Sequence, residues 1–158
     1  MSIAPSVHEF LTAEHVPFTT FTHRMAFTAQ EEAAVAHVSG RTWAKTVVCF
    51  ADDEAVLVVV PATMAVDFNR VRQLAHAGRV RLAREREIAD LYPGCEVGAM
   101  PPFGPLFHQR VYVDRSLASQ DEIVFNAGTH VDAIRMHYAD FARLVHPDVG
   151  DLGAGSTR

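Results

Sequence analysis

TVVCFADDEAVLVVV, residues 46–60, is the stretch on which the architecture turns. Two apolar runs, 46–51 and 55–60, flank the acidic triplet Asp52-Asp53-Glu54. Strand-forming residues on both sides of a short polar turn predict a β-hairpin. Both runs are nearly continuous in apolar residues, so strands buried on both faces are expected. Just before the hairpin stands Lys45, the chain's single lysine among 14 basic residues; all the others are arginine. The lone ammonium has two readings. It is a leftover of a composition rich in Arg, Ala and Val, or it is a cation whose task a guanidinium fork would do badly.

Outward from the hairpin, the elements follow from capping and periodicity. Ser6 and Glu9 form a capping box for a helix over 6–15, with Val7, Phe10 and Leu11 on one face. FTTFTHR, residues 18–24, alternates as a strand does. Thr28 and Glu31 make a second capping box, and its helix is expected to end near Gly40. On the other side, helices are predicted from Asp67 to His76, stopped by Gly78, and from Glu85 to Leu91, stopped before Pro93-Gly94. GCEVGAMPPFGPLF, residues 94–107, reads as a stiff, shaped loop because glycines bracket its prolines. Strands are predicted over 111–114, 122–126 and 131–136, with a turn at Ala127-Gly128-Thr129 and a helix over 138–145. The Gly-rich stretch 148–158 is expected to be a flexible tail beyond a domain of residues 1–147. The order implies one α+β domain with a mixed sheet.

Composition narrows the function classes. A chain of 158 residues with 49% hydrophobic content supports one well-filled core. A net charge of -5 argues against coating nucleic acid by bulk electrostatics, though not against a local basic contact. The N-terminus lacks the pattern of a signal peptide, and Pro breaks the longest apolar run, so a cytoplasmic protein with no membrane span is expected. Cys49 and Cys95 have no CxxC spacing and read as reduced thiols. The nine histidines form no HxH or HExxH pattern, so no metal is expected. No GxSxG elbow supports a serine triad, and Cys49 lies in too apolar a run for an activated nucleophile.

Three features invite chemistry. The cluster Arg70, Arg72, Arg79, Arg81, Arg84 and Arg86 is either a solvated face paired with Glu85, Glu87 and Asp90, or a phosphate contact. GAMPPFG, residues 98–104, is either a tight connection or a rigid cradle. Its amides at Gly98, Ala99 and Met100 can bind an oxyanion, with prolines holding them aimed. NAGTH, residues 126–130, is either a plain hairpin turn or the polar mouth of a site.

Taken together, Lys45, GAMPPFG and the block FNAGTHVDAIRMHYADFARLV resemble the YbaK/ProX-type aminoacyl-tRNA deacylases, a family that also supplies the editing domain of bacterial prolyl-tRNA synthetases. The resemblance covers residues 5–147. It implies a mostly antiparallel, pseudo-barrel-like sheet with surrounding helices. It also implies a cytoplasmic hydrolase acting without metal, cofactor or covalent intermediate. Its substrate would be mischarged tRNA, above all tRNA(Pro) carrying a small amino acid, with prolyl-tRNA synthetase as a possible partner. The family's lysine, loop glycine and turn histidine map onto Lys45, Gly98 and His130. Lys45 would anchor the ester or terminal ribose-phosphate, and the Gly98 and Ala99 amides would hold the carbonyl oxygen. Met100, Gly104, Asn126 and His130 would shape the substrate site, and Ala29 would wall the side-chain pocket. Arg79, Arg81 and Arg84 would lie near tRNA phosphates. Water would attack, assisted by the terminal 2′-hydroxyl. Some relatives have aspartate where this chain has Ala133 and serine where it has Asn126, so amino-acid specificity does not carry over. The alternative is a non-catalytic module of the same fold that binds aminoacyl-tRNA or its CCA end, or that attaches to a synthetase.

Overall fold

The computed structural model describes residues 5–154, with side chains from Val7 onward. The predicted hairpin is its centre. Strands β2 (Ala44–Ala51) and β3 (Glu54–Pro61) pair antiparallel from Ala51↔Glu54 to Ala44↔Pro61. The turn is only Asp52-Asp53, and Asp52 adopts the left-handed conformation with φ 55. Its carboxylate accepts the Gly78 and Arg79 amides, tying the turn to the connection beyond it.

The remaining elements are α1 (Pro5–Ala13), β1 (Thr19–Thr22), α2 (Ala29–Val35), α3 (Phe68–Ala75), β4 (Val80–Leu82), α4 (Glu85–Leu91), a 3-10 turn (Gly104–Phe107), β5 (Val111–Asp114), α5 (Arg115–Ala118), β6 (Glu122–Asn126), β7 (Asp132–His137), α6 (Tyr138–Val145) and β8 (Asp148–Gly150). They build two sheets, a five-stranded one in the order β4-β2-β3-β5-β8 and a three-stranded one in the order β1-β7-β6. Pairing is antiparallel except β3 with β5 and β5 with β8. The sheets do not close into a barrel. A single bridge between Trp43 and Val124 joins them.

Strand alternation sorts the core into layers. Val48, Leu57, Val59, Val111 and Val113 turn inward to meet Ile123, Phe125, Ile134 and Met136 of the smaller sheet, with Phe103 and Phe141 filling between them. Cys49, Val56, Val58, Val60 and Tyr112 face the other way, onto Val71 of α3 and Leu152. The expected burial on both faces therefore holds for β3. On the outer face of the smaller sheet, Val124 and Ala133 pack with Trp43 and with Ala33 of α2.

Some boundaries differ from expectation. The first helix begins at Pro5, ahead of Ser6, whose side chain lies outside the described residues. The Thr28–Glu31 capping box is present, but α2 stops at Val35 and not at Gly40. Five helical segments, though not α4 or α5, are followed by a device that glycine usually supplies. His15, His37, His76, His108 and His146 follow helical segments with φ between 53 and 58. Gly78 is therefore not what ends α3; His76 is its left-handed cap.

The stretch from 148 is not a loose tail up to Ala154. β8 pairs parallel with β5, Leu152 is fully buried, and the Leu152 amide donates to Asp114 Oδ1 at 2.8 Å. Gly153 bridges Val66, and the Ala154 amide donates to the Ala65 carbonyl. Gly153 lies so close to Met64 that any side chain there would strike its thioether.

Candidate active site

β4 covers only the Cys49–Ala51 end of β2. The uncovered part of that edge opens onto a cleft of about 580 Å³. Lys45, Thr46, Val47 and Val48 form one wall, Phe27 to Gln30 of the α2 entry another, and Val97, Gly98, Met100 and Asn126 close it. The structure thus brings Lys45, Gly98, Met100, Asn126 and Ala29 to one cavity.

Lys45 lies inside β2, on the face it shares with Val47 and Cys49. Its Nζ donates to the Met64 carbonyl at 2.7 Å. Burial pushes the ammonium below the ordinary lysine value, because desolvation disfavours the charged form. It is the one titratable side chain among the described cleft-lining residues.

Gly98 has φ 88, the left-handed region that glycine enters without strain. Among the described residues its amide donates to no protein acceptor. The Ala99 amide donates to the Glu96 carbonyl at 3.0 Å and Ala99 is fully buried, which corrects its expected role as a second oxyanion donor. Gly104 does not line the cleft either. It opens the 3-10 turn, and an added Cβ there would overlap the Gln109 carbonyl and Val111. Its need for glycine is one of packing.

His130 stands behind Gly98 and is only 7% exposed. Its Nε2 lies 2.8 Å from the Val97 carbonyl, its Nδ1 lies 3.3 Å from Glu32 Oε2, and its backbone amide donates to Glu96 Oε1 at 2.7 Å. Both ring nitrogens are engaged, so the ring has no free lone pair to serve as general base. Asn126 follows Val124 by two positions and so faces α2, where its Nδ2 donates to the same Glu32 Oε2 at 2.6 Å.

Glu32 was not singled out by sequence reasoning. It is 1% exposed, and burial raises its carboxyl above the usual range despite the Asn126 and His130 contacts. The available signal was positional. Glu31 is spent on the cap, and the next carboxylate lies beside Ala33 on the face of α2 that packs on the sheet.

At the cleft mouth, Phe27, Leu82 and Val97 are exposed, and the Phe27 ring lies 5.5 Å from the His130 ring. Thr46 Oγ1 is buried without a partner among the described residues. The arginines lie toward β4 and α4. Arg81 makes a two-pronged contact with Glu87 at 2.9 and 2.8 Å and caps the Phe50 ring at 4.6 Å, so its guanidinium is already committed. Arg79 and Arg84 are exposed.

A family model described as an aminoacyl-tRNA editing domain matches residues 23–144. The multifunctional Ser/Thr-tRNA deacylase ProXp-y of Escherichia coli K12 is 27% identical over 88% of this chain and 86% of its own length. Proline--tRNA ligase of Bacillus subtilis is 29% identical over 83% of this chain but only 25% of its own. The solved structure of a proposed trans-editing enzyme for prolyl-tRNA synthetase superposes with a TM-score of 0.77 at 24% identity, covering 98% of this chain and all of that one. No helix among the described residues is long and apolar enough to cross a membrane.

Proposed function

The chain belongs to the aminoacyl-tRNA editing domain family, and from that premise we propose that it is a cytoplasmic, trans-acting hydrolase of mischarged aminoacyl-tRNA. The observation that carries the reading is the pairing, in one cleft, of an ammonium anchored by a carbonyl with a glycine amide that has no protein acceptor among the described residues.

An aminoacyl ester is already activated. The site need only hold it beside water and stabilise the charge that grows on the carbonyl oxygen. The Gly98 N–H donates to that oxygen. Lys45 holds the terminal ribose or its phosphate as a point charge, and the Met64 carbonyl fixes where that charge sits. With His130 tied at both nitrogens, the substrate's own terminal 2′-hydroxyl relays the proton: it accepts one from the attacking water and gives its own to the neighbouring 3′-oxygen as the ester C–O bond breaks, releasing the free amino acid and an uncharged tRNA end. Phe27, with Leu82 and Val97, offers an apolar ledge for the terminal base.

The amino acid removed is small and carries a hydroxyl. Ala29 and Met100 bound the pocket, and the unpartnered Thr46 hydroxyl suits an O–H side chain. The Ser/Thr-tRNA deacylase likeness supports the same choice. Mischarged tRNA(Pro) is the proposed carrier, and Arg79 and Arg84 are its phosphate contacts.

The test is deacylation of tRNA(Pro), tRNA(Ser) and tRNA(Thr) charged with Ser, Thr, Ala, Cys or Pro, by wild type and Lys45→Ala. Loss of seryl or threonyl ester in the wild type alone is the expected result. Hydrolysis that survives Lys45→Ala would move the chemistry elsewhere. Tight binding of charged tRNA without hydrolysis would favour the CCA-end binding module, a reading supported by the single titratable group in the cleft.

A further inference from the structure

The contact between Glu32 and His130 is more informative than a buried ion pair usually is. A carbonyl oxygen only accepts, so the 2.8 Å contact with Val97 requires a hydrogen on His130 Nε2. That leaves Nδ1 facing Glu32 Oε2 at 3.3 Å. Two arrangements satisfy the contact. Either the proton is on Nδ1 and the pair is imidazolium with carboxylate, or it is on Oε2 and both partners are neutral. Each has one shared proton and no net charge. Asn126 donates to the same oxygen in either case. Without the proton, a carboxylate oxygen would face a ring lone pair.

We propose that Glu32 is a positioning residue: through one proton shared with His130 it keeps the imidazole against the Val97 carbonyl, and the imidazole in turn sets the Gly98 amide that faces the cleft. Three chain segments meet in this relay, namely α2, the turn before β7 and the loop after α4. Gly98 is in van der Waals contact with the ring, the position of a Cβ there lying 3.4 Å from Cε1. Burial of Glu32 favours retention of the proton.

Other ionisable groups near the pair are His23, whose charge favours ionised Glu32, and Glu96, which accepts the His130 amide. Asp132 is linked through the Thr129 hydroxyl at 2.6 Å, and Lys45 lines the same cleft. None of these contacts Oε2. Glutamine cannot share a proton at that atom. Its oxygen would accept from Asn126 and from a protonated Nδ1, but it has no proton to give a neutral ring and no charge to offset an imidazolium. Its nitrogen would serve Nδ1 but confront the Asn126 NH₂.

The inference rests on the proposed hydrolysis only for its kinetic arm. In the first arm, the Gly98 amide and His130 ring resonances are followed by ¹⁵N NMR against pH in wild type, Glu32→Gln and Glu32→Asp. The Gly98 signal is expected to titrate in wild type, to shift and to change its pH dependence with glutamine, and to return in part toward the wild-type profile with aspartate. In the second arm, Glu32→Gln is expected to lower kcat on the order of 10-fold or more while KM changes little, since misaimed groups cost rate more than binding. A Gly98 signal in Glu32→Gln that overlays wild type at every pH would overturn the proposal, as would an unchanged kcat and pH profile. If Glu32→Gln fails to fold, Glu32→Asp decides: a Gly98 signal with no titration at all defeats the relay. A wild type that hydrolyses no charged tRNA would defeat the deacylase reading and leave the NMR result to judge this one.

Discussion

The backbone of Gly98 rests on the edge of the His130 imidazole, and its φ of 88 is what calls for glycine there. A methyl group at Gly98 would meet His130 Cε1 at 3.4 Å, and φ 88 already disfavours any other residue. Gly98→Ala is therefore expected to cost about 1–2 kcal/mol of stability. It should also lower kcat more than it raises KM, because the donor for the developing oxyanion is displaced. Urea melts and steady-state deacylation check both halves. A variant with wild-type kcat would separate the amide from the chemistry.

Lys45→Met should abolish deacylation and yet leave the fold at least as stable. Burial disfavours the ammonium, and among the described residues no carboxylate repays it. Removing it should raise stability by about 1 kcal/mol, or about 2–4 °C in Tm for a chain of this size. The sign with pH follows. The folded pKa is depressed, so the ammonium's penalty is full below that value and fades as pH rises through it toward the ordinary 10.5. The stability gap between Lys45→Met and wild type should narrow as pH rises toward 10.5. A drop in Tm for the variant would contradict this account.

Thr46→Val keeps the shape of a buried residue and deletes the hydroxyl that lacks a partner among the described residues. The expectation is slower release of Ser and Thr with release of Ala unchanged or faster. Equal loss on all three esters would show that Thr46 does not read the side chain.

Much of this arrangement was legible in the sequence. Capping boxes and apolar runs located most elements, because local chemistry decides them. Lys45 stood out by its rarity, and Gly98 by the Pro-Pro rigidity beside it. What escaped depended on partners distant in the chain. Glu32 acquires meaning only when β6 brings Asn126 beneath α2. Ala99 reads as a free donor until the loop turns its amide onto Glu96. The segment from Asp148 reads as tail because glycines mask a short strand that shows itself only when β5 pairs with it. The histidine caps were invisible for another reason: glycine is the usual left-handed stop, so Gly40 and Gly78 drew the boundaries instead.

The arginines divide into two kinds. Arg79→Ala together with Arg84→Ala should weaken tRNA binding and flatten its salt dependence by about 1–2 in log–log slope. Arg81→Ala should act on the fold as well, since Arg81 holds Glu87. That bond keeps the Glu87 carboxyl at about 2, below its ordinary 4.5. A depressed acid stabilises the fold above its unfolded value, and that help disappears as pH falls through the folded one. Acid titration of Glu87→Gln should accordingly lose part of the wild-type slope between pH 4.5 and 2. Filter binding at several salt concentrations and acid melts test the two claims separately.

His76→Gly should stabilise. The residue caps α3 at φ 54, where a Cβ is strained. Relief of roughly 1 kcal/mol, reduced by the extra freedom of glycine when unfolded, predicts a gain of about 0.5 kcal/mol. Thermal melts with deacylation as a control should show the gain without change in turnover.

The strand at Asp148–Gly150 bears on how such a domain can be moved between proteins. The family match ends at residue 144, yet Gly153 and Ala154 clasp the segment whose Met64 carbonyl seats the Lys45 ammonium. A graft of residues 23–144 into a foreign host would carry every wall of the cleft and leave its cation without a fixed seat. The transplantable unit is longer than the recognisable one at both ends: by α1 and β1 before residue 23, and by the ten residues from 145 to 154.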